Sequence, residues 1–547
     1  MRPNQNVQSL QVARLNTWIS SLDEQPRKHG GSDTAGGETY DPELVDESVH
    51  IFFFYVLTLE TLFSMMTLKQ PHGNSNNNDN DNDDINNISV VGSYTLRQRR
   101  RRCATNGWLT MVFLAYSYLL TVRVHFTYSM MVMMNVPLAA GPADLPPCPG
   151  AVLDVGRNST TVVARRLDWT IREQAATMGA YFFGTLVSTL PGGIYSSYGY
   201  ERSIMMWCVA ITAATLALVP VAFVQYESWV AVTFLRFLQG CAFGPTGSCG
   251  GTLAGKIIPI TNRILYTTFM FSGTVFGGSM GNLYSGIVIP NVSHDGSYLA
   301  LSVIGFVWVA VWATMMHLTP YDTDLNGIPM SVSFISTSWT TIILSMPFIS
   351  LLNASFGLGF LYSFITTWLP IYTANVLGGD AIRNGVPVSV TWIVGWITSI
   401  IAGISAGSLT NVDTFTRTTV RKMYVGIVLI GSPIMLFGAM VAGCNGAYVR
   451  TFTRTSVILL GFERSSIRIN SMDLCPGYVG SLIAMCDVFY SMGNIIDVVV
   501  VRSLFADTMN WSVTFHVTII VSISCSILFL FFGSSLQQCW DQRYIRP

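Results

Sequence analysis

From Trp108 onward, apolar stretches alternate with short polar ones, at approximately 108–135, 174–196, 203–225, 229–255, 264–289, 298–318, 340–372, 386–408, 423–443, 448–470, 478–505 and 513–533. A helix rises 1.5 Å per residue, so about 20 apolar residues cross a hydrocarbon core of ~30 Å. The pattern predicts twelve membrane-spanning helices. A polar segment at 320–338 divides them six and six. The expected organisation is a cytoplasmic, largely disordered region at 1–102, a first six-helix half at 103–320, a cytoplasmic linker at 321–339, a second half at 340–540 and a short cytoplasmic tail at 541–547. Within the first region the apolar segment 51–68 is barely long enough to span and carries Glu60, so it reads as an interfacial helix. The Asn/Asp tract at 74–87 is too polar to build a core.

Composition agrees with lipid as the solvent. Charged residues are 11% of the chain, hydrophobic residues 50%, and net charge is zero, against roughly a quarter charged in soluble domains. No nucleic-acid partner is expected. The ten cysteines and seven histidines are scattered without metal-ligand spacing, so neither a zinc site nor a disulfide framework is implied. No nucleophile, base and orienting group recur at usable spacing, which argues against an enzyme. A phosphate-cradling Gly-rich loop for ATP is also absent, so transport would run on an ion gradient, H+ or Na+, with no other cofactor. The run Arg97, Arg99, Arg100, Arg101 and Arg102 precedes the first span and places the N-terminus in the cytoplasm. Lys256, Arg263, Arg417, Arg421 and Lys422 then fall on that same side, and the glycosylation acceptors Asn158, Asn291 and Asn510 on the other.

A charge at the centre of a membrane helix costs about 2.5–3.5 kcal/mol even on a lenient scale, so each one demands a partner, water or a function. The candidates are Arg123 and His125 in the first span, Arg236 in the fourth, Glu463, Arg464 and Arg468 in the tenth, and Asp487 and Asp497 in the eleventh. Arg123 lies roughly 22 Å along its helix from Trp108. Its guanidinium is either an anion site or one half of an ion pair with a carboxylate such as Asp487. Arg236 sits beside Gln239 and a Gly/Ser-rich stretch that leaves room for a ligand or a close helix. Helical register places Arg464 and Arg468 on one face and Glu463 about 100° away, a gate or interface network. Asp487 and Asp497 are proton carriers or arginine neutralisers. His125 reads as a packed core histidine.

Two further patterns stand out. Ser279-Met280-Gly281-Asn282 in the fifth span is echoed by Ser491-Met492-Gly493-Asn494 in the eleventh. Gly273, Gly277 and Gly281 recur every fourth residue, the spacing of a close helix contact.

Several segments resemble the anion:cation symporter family of the major facilitator superfamily, which includes sialin, the vesicular glutamate transporters and type I sodium/phosphate cotransporters. They are Leu120-Thr121-Val122-Arg123 before Met131 to Asn135, Asp168-Trp169 leading to Phe182-Phe183-Gly184 and Pro191-Gly192-Gly193, Leu235-Arg236-Phe237-Leu238-Gln239-Gly240, Val420-Arg421-Lys422, Asn470 to Pro476, and Phe532-Gly533 with Gln538-Cys539-Trp540. The resemblance implies the major facilitator fold: an all-α membrane protein with two six-helix halves and a mid-depth site between them. It also implies anion-binding roles for Arg123 and Arg236. There are departures. Phe243 stands where the family has an acidic residue tied to proton coupling, Met178 where the glutamate branch has a histidine, and the seventh span has no charge between Trp339 and Asp380. Glutamate transport is therefore disfavoured, and Glu463, Arg464, Arg468 and Asp487 become the coupling or gating candidates. The expectation is an ion-coupled secondary transporter of small organic anions or inorganic phosphate, functional as a monomer, in a lysosomal, vesicular or plasma membrane. The competing expectation is a membrane protein that kept this fold without transport and serves as receptor or scaffold.

Overall fold

The computed structural model describes residues 84–133, 167–225, 227–258, 263–291, 294–318, 339–370, 372–373, 385–411, 415–476, 478–508 and 511–538. The segment 51–68, the linker, the tail, Asn158 and Asn510 lie outside them. The chain divides into Met1–Ile88 and Ser89–Pro547, and the helices below belong to the second unit apart from the opening turn of the first.

Those helices are α1 (Asp84–Met133), α2 (Ile171–Tyr195), α3 (Glu201–Pro220), α4 (Trp229–Phe243), α5 (Thr246–Ile257), α6 (Arg263–Asn291), α7 (His294–Leu318), α8 (Met346–Ser363), α9 (Gly385–Asn411), α10 (Arg417–Gly426), α11 (Ser432–Ala442), α12 (Gly446–Leu459), α13 (Ile467–Leu474), α14 (Val479–Thr508) and α15 (Trp511–Phe532). Eight helical stretches among the described residues are long and apolar enough to cross a membrane. One of them, Arg172–Phe223, is two spans, because Gly199 adopts φ 99° and separates α2 from α3. Three more stretches reach spanning length without meeting that measure. They are α4–α5, broken at Gly244-Pro245, the less apolar α6, and α12–α13. Together they make the twelve expected spans.

The order of burial sets the layers. In the first and seventh spans 78% and 83% of the apolar window is inside the bundle, against 28% in the sixth and 33% in the twelfth. The outer helices turn large apolar side chains such as Val303, Val307, Ile520 and Phe531 outward. For a chain of this composition that outward surface is the lipid-facing one. α6 packs on α9 and α2 on α14, while α8 packs on α14 and α15.

The glycines at 273, 277 and 281 prove to be a packing ladder. Each abuts the first span, with no room for a Cβ between them and the Phe113 carbonyl, the Ser117 carbonyl and Val124. Ser117 and Thr121 hydroxyls bridge the same seam to the Gly273 and Gly277 carbonyls at 3.0 and 3.1 Å. The four-residue echo is structural as well. Asn282 donates to the Gly278 carbonyl at 2.6 Å and Asn494 to the Tyr490 carbonyl at 2.8 Å, the same bond four residues back. Gly493 abuts α8, the seventh span, as Gly281 abuts the first.

Three features differ from the expectation. α1 begins at Asp84 rather than near 108, so the arginine run rides on the helix of the first span. Arg, Gln and Leu are good helix formers, and a helix nucleated by the span propagates through them. The tenth span is not one helix: Leu460–Ser465 is a 3-10 turn and Ser466 has φ −110°, ψ −86°. Cys444, between α11 and α12, is disulfide-bonded.

Candidate functional site

The break in the tenth span reorients its charges. Glu463 does not point away from the arginines. Its carboxylate lies 2.6 Å from Arg464 Nε and 3.9 Å from Arg468 Nε, and Arg468 also meets Asp487 of α14 at 2.6 Å. All four side chains are largely buried. Gly247 of α5 abuts the Asp487 carboxylate and the Arg468 guanidinium, so the pair closes against α5 only because that residue lacks a Cβ. The break at Gly244-Pro245 that puts α5 there is fixed from α1, whose Tyr116 hydroxyl donates to the Thr246 carbonyl at 2.8 Å.

This network borders a central cavity of about 50 Å³, lined among others by Arg123, Tyr181, Tyr362, Arg468, Asp487 and Asn494. That volume holds a few waters. Arg123 enters from the first span. Its guanidinium carbon is 4.7 Å from the Phe182 ring centroid, 5.5 Å from Tyr181 and 5.9 Å from Tyr362. Among the described residues no carboxylate pairs with it; Asp487, the partner that the ion-pair reading named, is held by Arg468. Aromatic faces attract a cation by about 0.5–2 kcal/mol while leaving its in-plane N–H groups free, the groups that grip carboxylate or phosphate. Around the cavity three arginines (123, 464 and 468) meet two carboxylates (463 and 487), so one positive charge is uncompensated.

Arg236 is buried one layer behind. It donates to Gln239 Oε1 at 2.9 Å, and its guanidinium carbon stands 4.0 Å from the Phe126 ring and 4.7 Å from Tyr181. Its Nε has no hydrogen-bond partner. Tyr181 is thus stacked between two arginines and separates Arg236 from the cavity. Phe243 lines the cavity and packs on Tyr181 at 5.9 Å between centroids, an apolar wall. His125 is enclosed by Tyr284 and Tyr298, with Nδ1 3.1 Å from Ser285 Oγ and Nε2 3.0 Å from Ser297 Oγ, the satisfied environment of a core histidine. Asn291 is exposed at the end of α6.

The tyrosines that frame the arginines, Tyr116, Tyr181, Tyr362 and Tyr490, carry no sequence signal of their own, because aromatic residues are ordinary in membrane helices. Away from the cavity, Glu201 pairs with Lys256 at 2.8 Å, and Arg421, fully buried, pairs with Asp473 at 3.0 Å and donates to the Ser465 carbonyl at 2.6 Å. Ser197 and Ser481 meet at 3.1 Å and join the turn after α2 to the start of α14.

Residues 158–467 match the family model of the Major Facilitator Superfamily. Human sialin is 24% identical over 408 residues, which cover 72% of this chain and 81% of sialin. A putative inorganic phosphate cotransporter of Drosophila melanogaster is 24% identical over 474 residues, 82% of this chain and 88% of that protein. Vesicular glutamate transporter 2 of Mus musculus is 22% identical over 418 residues, 71% of each.

Proposed function

The chain belongs to the major facilitator superfamily, and from that premise we propose that it is an ion-coupled secondary transporter of small organic anions or inorganic phosphate, working by alternating access between its six-helix halves. The observation that carries the reading is Arg123: a guanidinium in the central cavity, held by aromatic faces and, among the described residues, left without a carboxylate partner. Arg123 takes the anion through its in-plane donors. Arg236, behind Tyr181, adds a second positive charge to the field and holds the tyrosine ring in place. Glu463, Arg464, Arg468 and Asp487 bind the tenth and eleventh spans together and act as the gate that must repack when the halves rock. The termini are cytoplasmic, the carrier acts as a monomer in a lysosomal, vesicular or plasma membrane, and Asn291 is a glycosylation acceptor on the opposite side.

Reconstitution into liposomes tests the reading, with counterflow of labelled phosphate, sialate, glutamate and urate. Wild-type protein should exchange at least one of them, and Arg123→Ala should lose exchange while Arg123→Lys keeps part of it. Full transport with unchanged apparent affinity in Arg123→Ala would overturn the site. No exchange of any anion by the wild type would favour a receptor or scaffold that kept the fold.

A further inference from the structure

Four of the buried or partly buried carboxylates have a cation: Glu201 has Lys256, Asp473 has Arg421, Glu463 has Arg464 and Asp487 has Arg468. Asp497 has none. It is completely buried in α14, and neither carboxyl oxygen has a hydrogen-bond partner. Its polar neighbours are neutral, the Ser363 hydroxyl and the Trp368 indole of the seventh span. Trp368 closes the π-helical turn Phe364–Trp368, and its Nε1 is also unpartnered. Single π turns within helices cluster at functional sites.

The elements packed on α14 bring no compensating charge. The described part of the seventh span carries none, and its titratable side chains are Tyr362 and Tyr372. α15 offers His516, which is exposed and bonded to Ser512, and Cys525. α13 carries Arg468 and Asp473, α5 carries Lys256, and these are paired as above. α2 carries Arg172 and Glu173 in its exposed first turn, where Glu173 caps Thr170. The turn after α2 carries only the tyrosines 198 and 200. On α14 itself Asp487 is taken, Tyr490 lines the cavity, and the side chains of Arg502 and Asp507 lie outside the described residues. An ionised carboxylate here would have no cation, only the neutral Ser363 and Trp368 groups beside it, a state that such groups leave by taking up a proton.

Position links this group to the transport site. Asp497 follows Asn494 by three residues and so shares its helix face, and Asn494 lines the cavity with Arg123. The seam it sits in is tight: Gly359 abuts the Tyr490 carbonyl and Gly493 the Phe356 carbonyl. Any separation of the seventh and eleventh spans therefore moves Ser363 and Trp368 relative to Asp497.

Resting on the transporter reading above, we propose that Asp497 is the proton-binding site that couples anion movement to a proton gradient. With the seam closed the carboxyl keeps its O–H bond. When the seam opens to water that bond breaks, the proton passes to water, and a carboxylate remains until the next proton arrives.

Two measurements separate this proposal from the transport reading. The first is infrared spectroscopy of the full chain in liposomes at neutral pH, which needs no substrate. Wild type should show a buried carboxylic-acid C=O band that Asp497→Asn lacks and Asp487→Asn keeps; a band that survives in Asp497→Asn overturns the proposal even if no anion is found to move. The second is accumulation of labelled phosphate, sialate, glutamate or urate under an imposed pH gradient. Asp497→Asn, nearly isosteric with the protonated acid, should still exchange anion across the bilayer yet lose pH-driven accumulation. Asp497→Glu should recover part of it. Retention of the full pH dependence in Asp497→Asn, or wild-type accumulation that follows sodium alone, would refute the assignment.

Discussion

Removing one carboxylate from the central network should cost more than its single contact suggests. Asp487→Asn leaves Arg468 buried and turns a balanced set of two arginines and two carboxylates into one with an excess positive charge. At an effective dielectric of about 20, charges 2.6 Å apart attract by about 6 kcal/mol, while the remaining Arg468–Glu463 contact at 3.9 Å supplies about 4 kcal/mol and is shared with Arg464. Part of the loss is offset because Asp487 no longer has to be desolvated. Measured losses on stripping one partner from a buried pair are about 3–5 kcal/mol, and that is the expected range here. Glu463→Gln should reach its upper end, since it strips Arg464 and weakens Arg468 together. The double variant Arg468→Met/Asp487→Leu removes both charges and should regain most of the stability, because two apolar side chains carry no desolvation cost.

Membrane proteins of this size unfold irreversibly, so the quantity to measure is the half-life of monodisperse protein in detergent at a fixed elevated temperature. If about half of a 3 kcal/mol loss appears in the unfolding barrier, Asp487→Asn shortens that half-life roughly tenfold. A second consequence follows in transport. The excess positive charge beside Arg123 should tighten apparent anion affinity and slow turnover, because the anion leaves a more positive cavity. A half-life for Asp487→Asn within about twofold of wild type, or single variants whose effects simply add in the double, would mean that the pair is hydrated and does not neutralise the site.

Three other outcomes are expected. Tyr181→Phe should keep transport near wild type, since the ring remains between the two arginines, whereas Tyr181→Leu should raise KM for the transported anion by roughly 2- to 30-fold, the loss of about 0.5–2 kcal/mol of cation–π attraction. Gly493→Val should lower folded yield in fluorescence-detected gel filtration, because its side chain would collide with the Phe356 carbonyl; overpacking of this kind costs about 1–3 kcal/mol. Arg421→Lys should be nearly as damaging as Arg421→Ala in the same assay. The guanidinium reaches Asp473 through Nε and Nη2 and the Ser465 carbonyl through Nη1, a fork that a single ammonium does not reproduce.

What the sequence conveyed and what it did not divide along a physical line. Arg123 was visible because a charge in an apolar helix is costly wherever it points, and the same rule exposed Arg236, Asp487 and Asp497. Which of them had partners was not visible, since partnership is decided by helices brought together from distant parts of the chain. Asp487 was a plausible mate for Arg123, yet Arg468 holds it. Glu463 was assigned to another face by helical register, and register failed because Leu460–Ser465 leaves the α conformation, a break without a proline to announce it. The disulfide of Cys444 carries no spacing signal either, because scattered cysteines show no pairing along the chain.

The four-residue echo allows the chain to be compared with itself, and the comparison points to the second copy. In the first copy the amide oxygen of Asn282 accepts from the Tyr128 hydroxyl of the first span at 2.8 Å, which completes the bonding of that side chain. In the second the Asn494 amide nitrogen is bonded in the same way, but its oxygen is buried without a partner and the side chain lines the cavity. A repeat that only stabilised the fold would satisfy both copies, because an unmet buried acceptor costs about 1–3 kcal/mol. The unmet one lines the same cavity as Arg123 and lies one turn before Asp497. Three unmet groups on the first and eleventh spans, a guanidinium, a carboxyl and an amide, are what a carrier needs if a substrate and a proton are to complete its core in turn.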